Sequence, residues 1–342
     1  MHSAGKHTPE PPTRPCALCG ATASRAYAGH PGYQLPARYD IWACARCDTK
    51  FAEPLAVDDR VYDLIYRYIE HVRGYARYAR YARAVVHEQD PLGYLADEED
   101  SYWAIAEFLG DQHGVSGEVI EVGSGLGYLT YAISRRGYNV RGIDISEVAV
   151  ADAARRFGDL YERSDLLAIA AERAGRYDAV IMTELVEHVP EVETLVAAAL
   201  RIVRADGHVV VTTPNKSASP AHVLWDTDSP PVHLWWFSET SMRTLAARLG
   251  ADVRFIDFTA YNRAHLNEIE VGIEMTEPSV PPAFDEHGQL IIRPNPLKPP
   301  VRRAFFALGL DRIRQVFERR RAALQPPSPR RKTLCAIFTK RA

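Results

Sequence analysis

The sequence predicts an α/β protein built on a doubly wound parallel sheet, with a separate cysteine-rich module in front of it. Residues 118–136 have the pattern of a strand, a glycine-rich turn and a helix. Further strand-like and helix-like segments alternate along the chain as far as residue 258, which is the pattern of a parallel sheet covered by helices. Two Cys-x-x-Cys pairs near the N-terminus predict the module.

The composition is that of an ordinary globular protein of 342 residues, long enough for one α/β core and an accessory module. No apolar run approaches the roughly 18 residues that a membrane span needs. Residues 1–15 are rich in Pro, Thr and His and lack the apolar core of a signal peptide. We therefore expect a disordered N-terminus, a cytoplasmic protein and no membrane partner.

The charge is unevenly distributed. The formal net charge of −3 gives no reason to expect general nucleic-acid binding. Residues 301–342, however, carry 12 Lys and Arg against 2 Asp and Glu. Clusters at 319–321 and 330–332 could hold an anionic substrate or nucleic acid, or they could belong to a solvated helix face with a flexible linker.

The module contains Cys16, Cys19, Cys44 and Cys47, with 24 residues between the two pairs. Each pair can present two thiolates on one tight turn, and two such turns complete the tetrahedral four-sulfur set of a structural zinc site. Disulfide bonds or chance are the alternatives, but a cytoplasmic chain keeps its thiols reduced. Because all four ligands come from the protein, this zinc has no open position for chemistry.

The next segment, residues 58–88, is predicted to be helical and interleaves tyrosines with arginines. Tyr75, Tyr78 and Tyr81 fall at i, i+3 and i+6, along one slowly drifting face. The six tyrosines of the segment and its arginines could form an aromatic–guanidinium wall for an anionic or ring-bearing substrate; the tyrosines are Tyr62, Tyr66, Tyr68, Tyr75, Tyr78 and Tyr81. The alternative, which we favour, is an amphipathic helix that packs its tyrosines and solvates its arginines. Residues 98–109 are predicted to form a second helix.

The glycine-rich turn contains Gly123, Gly125 and Gly127, directly after the strand that begins at Glu118. Glycines let the backbone turn sharply and let a ligand approach it closely, at the edge where a doubly wound sheet opens. A dinucleotide fingerprint needs Gly-x-Gly-x-x-Gly, and here the third glycine comes one residue early. Glu121 precedes the first glycine by two and suits a cationic ligand better than a pyrophosphate.

Strand and helix signals continue after the turn. Asp144 ends the second strand, 17 residues after Gly127, close to the spacing of an acid that binds ribose hydroxyls. The remaining expected strands are 160–165 (weakly patterned), 177–183, 208–213, 252–258 and 333–340, with a turn at Asp206-Gly207 before the strand at 208–213. The expected helices are 126–136, 148–157, 192–203 and 239–249. A loop at 230–237 precedes the last helix, which Ser238 caps. About 70 proline-broken residues, including a basic helix at 302–324, precede the last strand and are expected to act as a lid or as the subunit contact of a homo-oligomer.

Together these motifs resemble class I S-adenosylmethionine (SAM)-dependent methyltransferases, over about residues 100–260 plus 333–342. The resemblance rests on these residues and motifs: Glu-x-Gly-x-Gly-x-Gly at 121–127, Asp144, Asp165, Glu-x-x-Glu-His-Val at 184–189 and Pro-x-His-x-x-x-Phe-Ser at 231–238. The last two look most like ubiquinone-pathway O-methyltransferases. The resemblance implies a Rossmann-like seven-stranded sheet with an N-terminal zinc ribbon and a helical insertion before the last strand.

The resemblance also implies a division of the chain. The expected units are a disordered N-terminus (1–15), a zinc-ribbon module (16–52), a helical substrate or lid segment (53–110), a SAM-binding domain (111–260 with 333–342) and an insertion (261–332).

The resemblance implies cofactor contacts as well. Residues 123–127 would hold the methionine part of SAM, Asp144 the ribose, Asp165 and Leu166 the adenine, and the backbone of Thr183 and Glu184 the edge of the cofactor. The full set of expected cofactor-binding residues is Glu121, Gly123, Ser124, Gly125, Gly127, Asp144, Ile145, Asp165, Leu166, Thr183 and Glu184.

His188 and His233, with Glu187, are the candidate catalytic residues. Glu184, Glu187 and His188 occupy i, i+3 and i+4, so on one helical turn they would converge with His233. Two carboxylates and two imidazoles could bind a divalent ion such as Mg²⁺ that lowers the pKa of an acceptor hydroxyl. This set resembles that of small-RNA 2′-O-methyltransferases and some ubiquinone-pathway enzymes. Alternatively, Glu187 and His188 merely cap and orient their segment.

We therefore expect methyl transfer from SAM to a small-molecule acceptor, most simply a hydroxyl of a metabolite or a sugar-like natural-product intermediate, with transfer to carbon or nitrogen left open. The main alternative is an RNA methyltransferase that uses the zinc ribbon and the basic C-terminal segment. A scaffold protein with a degenerate SAM fold and a nicotinamide oxidoreductase are the remaining classes. The intact glycines argue against the scaffold, and the early third glycine argues against the oxidoreductase.

Overall fold

The computed structural model describes residues 12–72, 74–110, 117–218, 229–265, 282–291 and 328–341. The predicted basic helix and the cluster at 319–321 lie outside these residues, as does most of the predicted insertion. Within the described ranges, no helix has the length and apolar character that crossing a bilayer requires.

The described strands form two sheets. They are β1 (Thr13–Pro15), β2 (Thr22–Pro31), β3 (Arg38–Cys44), β4 (Thr49–Glu53), β5 (Glu118–Val122), β6 (Asn139–Asp144), β7 (Tyr161–Arg163), β8 (Tyr177–Thr183), β9 (Val203–Pro214), β10 (Trp235–Trp236), β11 (Ala251–Phe255) and β12 (Thr333–Lys340).

The described helices connect and cover these strands. They are α1 (Asp59–Arg67), α2 (Ala76–Ala84), α3 (Pro91–Glu98), α4 (Asp100–Gly110), α5 (Tyr128–Arg135), α6 (Glu147–Phe157), α7 (Leu166–Ile169), α8 (Val192–Ile202), α9 (Glu239–Arg248) and α10 (Thr259–Ala264). Short 3₁₀ turns lie at Val85–His87, Val186–His188 and Lys216–Ala218.

The larger sheet has seven strands in the order β11-β12-β9-β8-β5-β6-β7. Five neighbouring strands, β9, β8, β5, β6 and β7, are parallel to one another. Strand β12 runs antiparallel to both β9 and β11. The predicted seven-stranded α/β fold is therefore confirmed. The parallel strands place their carboxyl ends, and with them the glycine turn, at one edge of the sheet.

Both faces of the larger sheet are buried, as a parallel sheet requires. Val119 and Ala179 face a core shared with α4, α5 and α6, whereas Ile120 and Val180 face a core shared with α8 and α9. The second of these cores also contains residues of the cysteine module, among them Phe51. The module thus packs directly on one face of the larger sheet.

The smaller sheet has the order β1-β2-β3-β4-β10. Its first four strands come from the N-terminal module, and β1 shows that residues 13–15 of the predicted disordered N-terminus are ordered by pairing with β2. Its fifth strand, β10, comes from the segment predicted to be a loop at 230–237. β10 pairs antiparallel with β4.

Several helix and strand predictions are wrong in detail. The strands expected at 160–165 and 252–258 are shorter, at Tyr161–Arg163 and Ala251–Phe255. The stretch 58–88 forms two helices, α1 and α2, and the predicted helix 98–109 is preceded by α3 with a break at Glu99, where the backbone is extended. The fifth strand of the parallel set begins at Val203, not at residue 208, and pairs with β8 through a register shift. This bulge absorbs the Asp206-Gly207 pair that predicted a turn.

Candidate active site

The glycine turn has the backbone that its three glycines predict. Gly123, Gly125 and Gly127 all have positive φ, at 76°, 47° and 80°. A Cβ on Gly127 would lie 2.6 Å from the Cβ of Ala153 and 2.8 Å from the ring of Tyr161. Glycine at 127 therefore allows α5 to start close to the neighbouring helix and strand.

Asp144 lies beside this turn because β6 pairs with β5. Its Oδ2 accepts a hydrogen bond from the Gly125 amide at 2.9 Å, and its Oδ1 accepts one from the Ser146 amide at 2.8 Å. The structure thus brings together the turn and the acid that the sequence proposed for the ribose. The ribose contact itself stays a prediction.

The expected adenine end is formed where β6 and β7 finish side by side. Asp165 is exposed and caps α7 by accepting from the Leu167 amide at 2.9 Å. The side chain of Leu166 is only 2% exposed and lies in the core, so Leu166 can offer a ligand its backbone alone. Ile145 and Leu167 are 73% and 46% exposed. Two such apolar side chains at the open edge suit an aromatic base.

Glu121 is 4% exposed and accepts a hydrogen bond from the hydroxyl of Thr130 on α5. Burial, with a smaller contribution from the charge of Asp144, raises the pKa of Glu121 to about 8. Nearby, the hydroxyl oxygens of Ser124 and Thr183 are buried and have no hydrogen-bond partner among the described residues. Burying a hydroxyl group costs free energy unless it forms a hydrogen bond. These two hydroxyls are therefore suited to bind a polar ligand such as SAM.

The segment after β8 differs from its prediction. Glu184 has a φ of 50°, and a 3₁₀ turn follows at Val186–His188, so Glu184, Glu187 and His188 do not share the predicted α-helical turn. The Glu184 carboxylate accepts from the Thr212 hydroxyl at 3.1 Å. Among the described residues, a metal-ligand group with all ligand atoms within 4.8 Å of one another contains Glu187, His188 and His233, but not Glu184.

The tautomer of His188 follows from its neighbour. Nδ1 lies 2.8 Å from the carbonyl oxygen of Val232, which can only accept, so Nδ1 carries the proton. Nε2 therefore has the lone pair, and it lies 3.8 Å from Oε1 of Glu187. The His188 and His233 rings meet edge to face, with centroids 4.8 Å apart.

Burial lowers the pKa of His188 to about 4 and holds the pKa of His233 well below its usual range, helped by His188. Both imidazoles are thus neutral near pH 7. Glu187 is 1% exposed. A buried carboxylate with two neutral imidazoles is a donor set that suits a divalent cation or a base.

Helix α1 brings two tyrosines of the predicted tyrosine–arginine segment, Tyr62 and Tyr66, to the site. The Tyr62 hydroxyl lies 3.2 Å from Nδ1 of His188 and donates to the Val232 carbonyl at 3.4 Å. Tyr66 lies one turn later. It is 44% exposed overall, but its hydroxyl would lie 4.0 Å from a Cβ on Gly125.

Burial of that hydroxyl and the charge of Asp144 raise the pKa of Tyr66 to about 12. Because Tyr62 and Tyr66 are four residues apart, one face of α1 reaches from the histidines to the glycine turn. The i, i+4 spacing of Tyr62 and Tyr66 is the feature of the sequence that indicates their common face.

The tyrosine–arginine segment supports the packing interpretation. Tyr75, Tyr78 and Tyr81 contact one another, with centroids 5.7 and 6.4 Å apart, and Tyr81 is 2% exposed. The Tyr81 hydroxyl donates to Glu99 at 2.8 Å, and Arg77 also pairs with Glu99, at 2.6 Å. These groups are engaged with each other; Arg73 lies outside the described residues.

The four cysteines come together as predicted. Sγ of Cys16 is 3.6 Å from that of Cys47, and Sγ of Cys19 is 3.5 Å from that of Cys44. A disulfide needs about 2.05 Å, whereas tetrahedral zinc with bonds of about 2.3 Å separates its sulfurs by about 3.8 Å. The cluster is therefore compatible with zinc, and the described cysteines form no disulfide.

Comparisons with known proteins agree with this geometry. A family profile described as a methyltransferase domain matches residues 94–254. The ubiquinone biosynthesis O-methyltransferase of Cupriavidus pinatubonensis is 39% identical over an alignment of 118 residues, and the match covers 32% of this chain and 47% of that protein. The protein of the same description from Acinetobacter baylyi is 35% identical over 117 residues, covering 31% and 49%.

The chain thus spans about half the length of these curated relatives. A solved SAM-dependent methyltransferase from Archaeoglobus fulgidus superposes with a TM-score of 0.39 and 16% identity, covering 69% of this chain and 92% of that one. The family match lies at residues 94–254, and within that range the strand order and the glycine turn agree with a methyltransferase domain.

Proposed function

We propose that the chain transfers the methyl group of SAM to a hydroxyl oxygen of a small-molecule acceptor. The observation that carries the proposal is that one helix, α1, lies beside both the glycine turn and the histidines. Tyr66 marks the end with the glycine turn and Asp144, and Tyr62 marks the end with His188. The curated relatives are named for O-methylation, which supports oxygen as the nucleophile.

The chemistry asks little of the protein beyond position and proton transfer. SAM, when bound, supplies a methyl group on a sulfonium leaving group. Its fit rests on the close backbone of residues 123–127, the buried hydroxyls of Ser124 and Thr183, and the acid at Asp144. The residues of the chain hold the acceptor oxygen in line with that methyl group. Nε2 of His188, which has the lone pair, takes the hydroxyl proton.

We further propose that Glu187, His188 and His233 hold a divalent ion such as Mg²⁺ or Zn²⁺. The donor set is one carboxylate and two neutral imidazoles, all with their ligand atoms within 4.8 Å. A divalent ion, when bound, lowers the pKa of a coordinated hydroxyl. With the ion bound, Nε2 of His188 is a ligand and not a base, and the coordinated hydroxyl, with its lowered pKa, loses its proton to solvent. Without an ion, Nε2 of His188 is the base described above. The remaining alternative is that Glu187 and His188 only cap and orient their segment.

The alternative of an RNA methyltransferase is not favoured. In the described part of the basic tail, Arg330 pairs with Glu239 at 2.7 Å and Arg331 pairs with Asp100 at 2.9 Å. These side chains hold the C-terminal segment on the domain. Affinity for RNA that fell steeply with salt would revive the alternative.

Two measurements test the proposed function. Calorimetry with S-adenosylhomocysteine should show one site per chain, and labelled SAM should transfer its methyl group to a hydroxyl in a panel of catechols and sugars. Absence of any S-adenosylhomocysteine binding would favour a scaffold protein with a degenerate fold. Transfer to nitrogen or carbon alone would overturn the oxygen assignment.

The divalent ion is tested in the same assay. Dialysis against EDTA that leaves the cysteine-bound zinc in place should abolish transfer, and Mg²⁺ should restore it. Glu187→Ala should lower kcat at least tenfold while S-adenosylhomocysteine still binds. Full activity after EDTA dialysis, or full activity of Glu187→Ala, would contradict the proposed divalent ion.

A further inference from the structure

We propose that the sheet of the cysteine module is a positioning element of the acceptor side, because its strand β4 holds the segment that carries His233. What His233 then does rests on the proposed function; how it is held does not. We call residues 229–238 the acceptor loop. The sequence predicts a zinc ribbon with a structural role within its own module. The structure instead places part of the acceptor loop, strand β10, in the same sheet as that ribbon.

The backbone connection is short. His233 is followed by Leu234 and then by β10, whose Trp235 and Trp236 pair with Phe51 and Lys50 of β4. The Leu234 carbonyl accepts from the Ala52 amide at 2.9 Å. The next residue after His233 is thus fixed directly by β4.

The same residue, Leu234, also reaches Glu187. The Leu234 amide donates to the Glu187 carbonyl at 2.8 Å. Leu234 therefore lies between β4 on one side and the 3₁₀ turn with Glu187 and His188 on the other. A shift of β4 would move His233 and Glu187 together.

Further contacts hold the two ends of the acceptor loop to the module. Near its start, the Pro230 carbonyl accepts from the Tyr33 amide at 2.7 Å. At its end, the Ser238 hydroxyl donates to the Asp48 carbonyl at 3.2 Å. Asp48 also forms an ion pair with Lys216. The acceptor loop is therefore held along most of its length.

Packing reinforces this arrangement. The rings of Phe51 and Trp235 have centroids 5.9 Å apart, and Trp235 stacks on Phe237 at 5.6 Å. Nε1 of Trp235 donates to the Val189 carbonyl at 2.8 Å, just after the histidine turn. Within the described residues, β10 has no strand partner besides β4; an isolated bridge joins Phe237 to Asn215. Two residues of strand are too few to keep their register without that partner.

The decisive experiment is Ala52→Pro, which removes the amide that bonds Leu234. Thr13→Pro is the matched control, because β1 lies on the opposite edge of the same sheet. We expect at least tenfold faster amide exchange at 232–238 in Ala52→Pro. In long-range ¹H–¹⁵N spectra, the single Nδ1–H tautomer of His188 should give way to a mixture. S-adenosylhomocysteine affinity should stay within twofold of wild type in both variants.

A pair of milder substitutions tests the proposal in case Ala52→Pro does not fold. Trp235→Phe removes the bond to Val189 and keeps an aromatic ring. Trp42→Phe changes a buried tryptophan of the same sheet whose Nε1 makes no hydrogen bond within the described part of the chain. We expect faster exchange at 232–238 in Trp235→Phe alone.

The proposal is overturned if Ala52→Pro leaves exchange at 232–238 and the His188 tautomer unchanged, or if the tryptophan pair behaves alike. Failure of wild type to bind S-adenosylhomocysteine would overturn the proposed function instead, and the exchange results would stand without it.

Discussion

At the scale of single residues, burial changes what a predicted side chain does. Glu121 was expected to lie near a cationic ligand, and the structure places its carboxyl group inside the domain against Thr130. Ser124 and Thr183 likewise have hydroxyls sheltered from water. A carboxyl group whose pKa is raised to about 8 is mostly protonated near pH 7 before a cation arrives. Binding of a cationic cofactor beside it would therefore release a proton.

The raised pKa of Glu121 predicts a pH-dependent stability. The folded state keeps the proton up to about pH 8, while the unfolded state loses it near the ordinary value of 4.5. The unfolded state therefore binds fewer protons across this window, and the free energy of unfolding falls as pH rises from 4.5 to 8. The slope is at most about 1.4 kcal/mol per pH unit for one group. Urea unfolding of wild type and Glu121→Gln should show this difference.

Thr130→Val serves as the control for this prediction. The Thr130 hydroxyl lowers the pKa of Glu121, so its removal should raise that pKa and extend the pH dependence to higher pH. If the free energy of unfolding changes equally between pH 5 and pH 8 in wild type and in Glu121→Gln, the buried, protonated carboxyl is contradicted.

At the scale of elements, short pieces of structure assemble the acceptor side. Helix α1 is nine residues long and places Tyr62 beside His188 and Tyr66 beside the glycine turn. The 3₁₀ turn Val186–His188 and the two-residue strand β10 bring Glu187 and His188 to His233. Each piece depends on contacts with the others, since none is long enough to be stable alone.

Helix α1 predicts a separation of phenotypes between its two tyrosines. Tyr62→Phe removes the hydroxyl beside Nδ1 of His188 and Val232, so kcat should fall about tenfold, which corresponds to about 1.4 kcal/mol. The KM for SAM should stay unchanged. Tyr66→Phe, the matched change at the cofactor end, should raise the KM for SAM several-fold with a smaller effect on kcat. Steady-state kinetics that show the same change in both variants would contradict a helix spanning the two ends.

At the scale of the whole molecule, two sheets share a core. The face of the larger sheet that contains Ile120 packs with module residues such as Phe51, and β10 extends the module's own sheet. The described part of the insertion adds to this contact, because Phe284 packs against Tyr33 of the module and Tyr68 after α1. The cysteine module is therefore joined to the domain by both core and backbone.

The cysteine cluster predicts one zinc per chain. Cys47→Ser should lose that zinc and the protection of residues 22–53 from amide exchange, because small zinc modules take most of their folding energy from the metal. Cys335→Ser is the control, since this buried cysteine lies in β12 and outside the cluster. S-adenosylhomocysteine should still bind to both. Stoichiometric zinc in Cys47→Ser, measured by elemental analysis, would contradict the four-sulfur site.

The sequence by itself determined the seven-stranded architecture, the glycine turn and the cysteine cluster. The bounds predicted for β8 and β12 agree with the structure, and Ser238 caps α9 as expected, because apolar runs, glycines and caps are local signals. The grouping of His188 with His233 followed from a motif resemblance, and the structure brings the two rings together.

Only the tertiary structure decided how the acceptor side is built. The left-handed backbone at Glu184, the bulge in β9, the break between α1 and α2 and the pairing of β10 with β4 all depend on partners far away in sequence. A loop of apolar residues becomes a strand only where an unpaired sheet edge meets it. Burial, which sets the protonation of Glu121 and His188, likewise exists only once the chain has packed.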